Sequence, residues 1–145
     1  MTTEATANAP STRAAHEALD TRGVQISLTA KDVQQSIAWY RDVLGFAVEY
    51  PMERDGKVFA AAMRSGAARI ILNQDDGGRG WERVKGEGFA ITFDTAQDVD
   101  AIAAGIKARG GTLIIEPTDM PWGVRMLRVL DPDGYRLSIS RPLST

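Results

Sequence analysis

Side chains able to do nucleophilic or metal chemistry are scarce in this sequence. There is no cysteine, which excludes thiol catalysis and thiolate metal sites, and the only histidine is His16. His16 lies in a stretch rich in Ala, Thr and Ser that has no strand-like alternation, so no ordered neighbour is expected to fix its tautomer. We therefore expect His16 to be neither catalytic nor metal-binding, and polar chemistry must come from hydroxyl, amide, carboxylate and guanidinium groups.

One segment places several such groups in a row. The sequence VLDPDGYRLSIS, residues 129–140, predicts a strand, a tight turn and a returning strand. On the returning strand Arg136, Ser138 and Ser140 alternate with apolar residues and so share one face. If this face lines a cavity, Ser138 presents a hydroxyl where an acid would suit a metal ion.

The elements that position this strand follow a strand and helix rhythm. Residues 24–30 alternate as a half-buried strand, Asp32 is a helix N-cap, and Gly45 marks the end of that helix. Apolar strands are predicted at about 46–51, 57–63 and 68–73.

The same pattern occurs twice in the chain. After a Gly-rich passage at 75–88 a strand, an amphipathic helix and further strands recur, and three punctuation residues repeat at a spacing of 66: Asp32 and Asp98, Gly45 and Gly111, Pro51 and Pro117. Neither unit can bury a sheet face alone, so the repeat predicts two β-α-β-β-β modules packed together. We expect a flexible tail at 1–22 and one domain at 23–141, with module one at 23–74, a linker at 75–87 and module two at 88–141.

Size and composition fit this single domain. The chain has 145 residues, 43% hydrophobic content and a formal net charge of −2, without a basic patch for nucleic acid or a polybasic arm for lipid. No segment has the apolar length of a signal peptide core or a membrane span. We therefore expect a cytoplasmic protein that binds neither nucleic acid nor membrane.

Two segments resemble a known family. The sequences ISLTAKDVQQSIAWYRDVLGF and EPTDMPWGVRMLRVLDPDGYRL are similar to the vicinal oxygen chelate superfamily, which includes glyoxalases, extradiol dioxygenases and bleomycin-resistance proteins. The resemblance covers residues 23–141 and implies an α+β fold, with two β-α-β-β-β modules forming a curved mixed sheet around a cavity. Such cavities are commonly completed by dimerisation, so we expect a homodimer.

The resemblance also implies four positions that bind the metal in metal-dependent members. Carried over by position, they fall on Gln25, Leu72, Ala90 and Ser138. A catalytic divalent ion needs imidazole or carboxylate donors, typically about three from the protein, and this set offers one amide and one hydroxyl. We therefore expect no metal and no cofactor.

Loss of these ligands is typical of the bleomycin-resistance branch, which the segment around Pro121 and Trp122 also resembles. The implied function is metal-free binding, with a planar or amphipathic small molecule sequestered in the cavity between the modules. The alternative is a glyoxalase-like lyase, isomerase or dioxygenase acting on a small carbonyl or aromatic substrate, with Glu49, Glu116 or Asp94 as base. A noncatalytic structural protein, whose cavity would be filled by side chains, is a third possibility.

Candidate ligand-binding residues follow from strand alternation and from the aromatic residues. Trp122 is either a stacking wall of the cavity or a residue that closes a turn, and Trp81 is either part of a lid or an anchor of the linker. The remaining candidates share the face opposite the helix-packing residues, and the full predicted set is Gln25, Ser27, Trp81, Thr92, Trp122, Met126, Arg136 and Ser138.

Overall fold

A computed structural model describes residues 18–144, and the candidate His16 lies outside them. The first module comprises β1 (Ile26–Ala30), α1 (Val33–Trp39), a π-helical turn (Tyr40–Leu44), β2 (Ala47–Arg54), β3 (Lys57–Ser65) and β4 (Ala68–Gln74). The second comprises β5 (Ile91–Asp94), α2 (Val99–Ala108), β6 (Leu113–Asp119), β7 (Val124–Leu130) and β8 (Arg136–Pro142). The repeated β-α-β-β-β order is thus confirmed.

Each module forms its own four-stranded mixed sheet. The strand orders are β1-β4-β3-β2 and β5-β8-β7-β6, so β1 and β5 are corresponding edge strands. In both sheets the first strand pairs in parallel with the last, and the other pairs are antiparallel. The described residues form no helix with the length and hydropathy that a bilayer crossing requires.

The helix boundaries follow the predicted capping residues at three of four ends. Asp32 and Asp98 cap the two helices through their carboxylates, and Gly45 ends the first helical segment with φ at 85°. At the second C-terminus the left-handed residue is Gly110 (φ 92°), so the predicted stop at Gly111 is wrong by one residue. Gly111 is needed for packing instead, because a Cβ there would lie 2.8 Å from Val43 Cγ1 of module one.

The hydrophobic core is shared between the modules. One buried cluster joins Leu28, Tyr40 and Phe46 of module one to Val129 and Leu137 of module two. A second cluster packs α2 and β7 against the π-helical turn of module one. Because both clusters draw on both halves, neither module is expected to be stable alone.

A buried carboxylate ties the β7–β8 turn to the first helical segment. Asp131 is only 5% exposed. One of its oxygens accepts the backbone N–H groups of Asp133 (2.8 Å) and Tyr135 (2.9 Å), and the other accepts the hydroxyl of Tyr40 (2.7 Å). These bonds shape the turn and attach it to module one.

The linker reinforces the same joint. The Lys85 ammonium is buried between Asp75 (3.3 Å) and Asp133 (3.7 Å), and Gly86 packs against the turn so closely that a Cβ would lie 2.8 Å from the Gly134 carbonyl oxygen. The linker therefore packs on the β7–β8 turn.

We expect Tyr40→Phe to lower the free energy of unfolding by about 1–3 kcal/mol, because a buried carboxylate oxygen loses its donor. Urea unfolding measures this loss, and Tyr50→Phe is the control because Tyr50 is exposed.

The loss should depend on pH in a definite direction. Burial raises the pKa of Asp131, against the lowering effect of the hydrogen bond from Tyr40. Without that bond the pKa rises further, so the native variant binds a proton at a higher pH than the unfolded chain does. The variant should therefore regain part of its lost stability as the pH falls from about 8 to about 5. Equal losses at both pH values would contradict this account.

Candidate functional site

A cavity of about 810 Å³ lies between the two modules. Module one contributes the end of its helical segment and the β3–β4 turn, and module two contributes β5, the adjacent face of α2 and Ile139. Phe46 and Phe93 meet edge to face in its wall, with ring centroids 5.6 Å apart. The volume is within the range of about 300–1,000 Å³ typical of small-molecule sites.

Polar groups gather along the β5 side of this cavity. Thr92, Asp94, Thr95, Gln97 and Asp98 line it there, and Arg109 lines it near the end of α2. The carboxylate of Asp98 is engaged in capping α2, and Asp94 accepts the hydroxyl of Ser140 at 3.2 Å. The cavity thus combines an aromatic wall with an edge that carries carboxylates.

Thr92 is the one predicted ligand-binding residue that lines this cavity. Met126 and Ser138 are buried within sheet two, where Ser138 pairs with Thr92 across the parallel β5–β8 ladder. Arg136 lies on the same face two residues before Ser138, and its guanidinium donates to the Phe89 carbonyl oxygen at 3.1 Å. These residues share one face of sheet two, as strand alternation predicted, but of that face only Thr92 at the edge strand lines the cavity.

The remaining four candidates lie apart from the cavity. Gln25 precedes β1 and Ser27 lies on it, and both are exposed. Trp122 is 67% exposed in the turn between β6 and β7. The Trp81 ring packs on Gly77 of its own linker, where a Cβ would approach the ring to 2.4 Å. This contact favours the anchoring role for Trp81 over the lid.

Arg128, which sequence reasoning leaves out of the ligand-binding set, changes the electrostatics at Ser138. Arg128 lies opposite Ser138 in the antiparallel β7–β8 pair, and its Nε donates to the Ser138 hydroxyl at 2.8 Å. The Ser138 hydroxyl therefore has a cationic guanidinium as its partner. Counting residues outward from the 131–135 turn would have placed the two opposite each other.

The four residues at the implied metal-ligand positions do not form a site that suits a metal ion. Leu72 is 1% exposed in the core and pairs with Leu28, so it faces the helix side of sheet one; Asn73 occupies the other face. The hydroxyl of Ser138 is bound to a cation, and Gln25 and Ala90 complete the set without an acid. Among residues 18–144 no three His, Cys, Asp or Glu side chains cluster in a way that could hold a metal ion.

The candidate catalytic bases are also engaged in other contacts. Glu49 pairs with Arg64 (2.6 Å) and Arg69 (2.8 Å), and the hydrogen bond from Arg64 holds its pKa below the usual range. Glu116 pairs with Lys107 at 2.7 Å. Of these three candidate bases, only Asp94 lines the cavity. A base with a lowered pKa is poorly suited to abstract a proton near neutral pH.

Solved structures share this fold at low sequence identity. TioX from Micromonospora sp. ML1 is 20% identical with a TM-score of 0.69, over 85% of this chain and 100% of that one. TnmS3, described as an antibiotic binding protein from Streptomyces sp. CB03234, is 21% identical with a TM-score of 0.68, over 88% and 99% of the two chains. A superfamily member from Sphaerobacter thermophilus DSM 20745 is 23% identical with a TM-score of 0.66, over 82% and 97%.

A search of curated protein sequences finds no match. The family profile described as Glyoxalase/Bleomycin resistance protein/Dioxygenase superfamily matches residues 14–139. This span includes module one, the linker and module two as far as Ile139 in β8. Profile and fold agree, and the chain belongs to the glyoxalase/bleomycin resistance protein/dioxygenase superfamily.

Proposed function

We propose that this protein binds a planar or amphipathic small molecule, without a metal ion, in the cavity between its modules. The observation that carries the proposal is the cavity itself, about 810 Å³ with the Phe46 and Phe93 rings in its wall. An aromatic wall offers a ligand flat apolar area, and the polar β5 side offers orientation. The fold is shared with TnmS3, which is described as an antibiotic binding protein.

The chemistry of the sheet two face also favours binding over metal-assisted catalysis. Arg128 places positive charge against Ser138, where a metal-dependent relative would place a ligand. A divalent cation at this position would be repelled by the guanidinium and would find no anionic donor among the four implied positions. The same groups can remain in place while a neutral ligand occupies the cavity.

A cavity-filling variant tests the site. Ala101 lines the cavity from α2, whereas Ala104 is exposed on the same helix outside it. We expect a panel of planar antibiotics and metabolites to contain a compound that raises the Tm, because a ligand at about 100 times its Kd adds about 2.7 kcal/mol to stability. Ala101→Phe should abolish that shift and Ala104→Phe should preserve it.

Two results of the panel would count against the proposal. If no compound shifts the Tm, ligand binding loses its support. If the Ala101→Phe protein responds to the ligand as strongly as the unaltered protein does, the ligand occupies another site.

We also infer that the chain forms a homodimer through the exposed edge strand β2 of sheet one. Tyr50 is 62% exposed on the edge strand β2, and Val48 on the same strand is exposed as well. Large apolar side chains on an edge strand favour association with another protein surface. A second copy covering this surface would also bury part of the shallow pocket that Glu49, Tyr50, Ala62 and Arg69 line.

Sedimentation velocity across a concentration series tests the dimer. We expect dimers of the unaltered chain at micromolar concentration and at least a tenfold weaker association for Tyr50→Glu, because a carboxylate would be buried at the interface, at a cost above about 1.4 kcal/mol. Val84→Glu, in the exposed linker, is the matched control. A monomer at every concentration would contradict the inference.

A further inference from the structure

The phenol side chain of Tyr135 satisfies the backbone hydrogen-bonding groups on the open edge of β1. The backbone N–H of Thr29 donates to the Tyr135 hydroxyl at 3.2 Å, and that hydroxyl donates to the Thr29 carbonyl oxygen at 3.0 Å. Tyr135 comes from the β7–β8 turn of the other module and is itself buried. One hydroxyl thus acts as acceptor and donor for both peptide groups of an edge residue.

The matching edge residue in module two is Asp94. In the two parallel ladders Thr29 pairs with Asn73, and Asp94 pairs with Ser140. Both edge residues stand at the same position relative to the last strand of their sheet.

The peptide groups of Asp94 also have the matching direction. The neighbouring Thr95 donates its N–H to the Ser140 carbonyl oxygen of β8 at 2.9 Å, so Thr95 points toward β8. Peptide groups alternate along a strand, and those of Asp94 therefore point away from β8, to the open edge. That edge borders the cavity, which Phe93, Asp94 and Thr95 line.

Among residues 18–144 no side chain equivalent to Tyr135 reaches this second edge. Matching positions of β4 and β8 differ by 67 in residue number, as Asn73 and Ser140 show. Ala68 is therefore the counterpart of Tyr135 in module one. The β3–β4 turn is also shorter, because Ser65 pairs directly with Ala68. Both residues line the cavity. The cavity therefore occupies the place that a tyrosine side chain fills in the other half of the molecule.

We propose that the cavity binds a small neutral hydroxyaromatic molecule whose hydroxyl bridges the N–H and C=O of Asp94, as Tyr135 bridges those of Thr29. This rests on the proposed function and specifies its ligand class. The ring lies against Phe46, Phe93 and Ile102, which give it an apolar and partly aromatic surface. The two carboxylates of Asp94 and Asp98 outweigh the one guanidinium of Arg109 in the cavity lining and disfavour an anionic ligand, so a phenol is preferred to a benzoate.

Fluorine NMR with 4-fluorophenol, fluorobenzene and 4-fluorobenzoate on the full chain tests this assignment. We expect 4-fluorophenol to bind about tenfold more tightly than fluorobenzene, because two hydrogen bonds are added, and 4-fluorobenzoate to bind most weakly. Ala68→Tyr places a tethered phenol in the same space and should abolish binding of 4-fluorophenol. Ala104→Tyr is the matched control on the exposed face of α2 and should leave binding unchanged.

Each other outcome is decisive. Equal affinities for 4-fluorophenol and fluorobenzene, both lost in Ala101→Phe, would refute recognition of the hydroxyl and leave the proposed function intact. Binding of 4-fluorophenol that survives both Ala68→Tyr and Ala101→Phe would place the phenol elsewhere and overturn the proposal. Failure of all three probes would also overturn it, and the wider panel would then decide the function separately. Ala101→Phe serves alone if Ala68→Tyr does not fold.

Discussion

The carboxylate of Asp131 is the constraint on which the arrangement of the two modules depends. It is buried and accepts two backbone N–H groups of its own turn and the hydroxyl of Tyr40. With the turn fixed in this way, Tyr135 can reach the edge of β1 in the other module. Burying a carboxylate is costly without such donors, so the turn, the helical segment and the edge strand are linked as one unit.

The two halves of the molecule share a topology but differ at this joint. In module two a longer turn carries Asp131 and Tyr135 and fills the space beside β1, whereas in module one a short turn of small residues leaves a cavity beside β5. The two halves of the fold therefore differ at equivalent places: a tyrosine side chain fills the space beside β1, and a cavity lies beside β5. The filled place shows which chemical group the unfilled edge can accept.

Sequence reasoning predicted the repeat, the strand alternation and the N-caps, because these depend on local patterns. It placed a helix stop on Gly111 although the left-handed residue is Gly110, since close packing on Val43 requires a glycine at 111 for a different reason. It also placed Leu72 among the metal positions, because the repeat offset of 66 was applied to the last strands, whereas their paired residues are offset by 67.

The cavity could not be predicted in the same way. It arises from what is missing at Ser65 and Ala68, and small residues in a turn carry no functional signal of their own. Arg128 was left out of the predicted site because its role depends on a cross-strand partner rather than on its own segment. The cavity becomes visible only when the two modules are compared in three dimensions, whereas the Arg128–Ser138 pair follows from counting outward along the β7–β8 hairpin.

The most direct test is the change in backbone amide chemical shifts when 4-fluorophenol saturates the isotope-labelled protein. If the phenol bridges the β5 edge, the amide of Asp94 should move downfield more than any other, and the amide of Thr29 should stay unchanged because Tyr135 already occupies it. Shifts that cluster around Trp122 and Arg136, with Asp94 unaffected, would contradict the account.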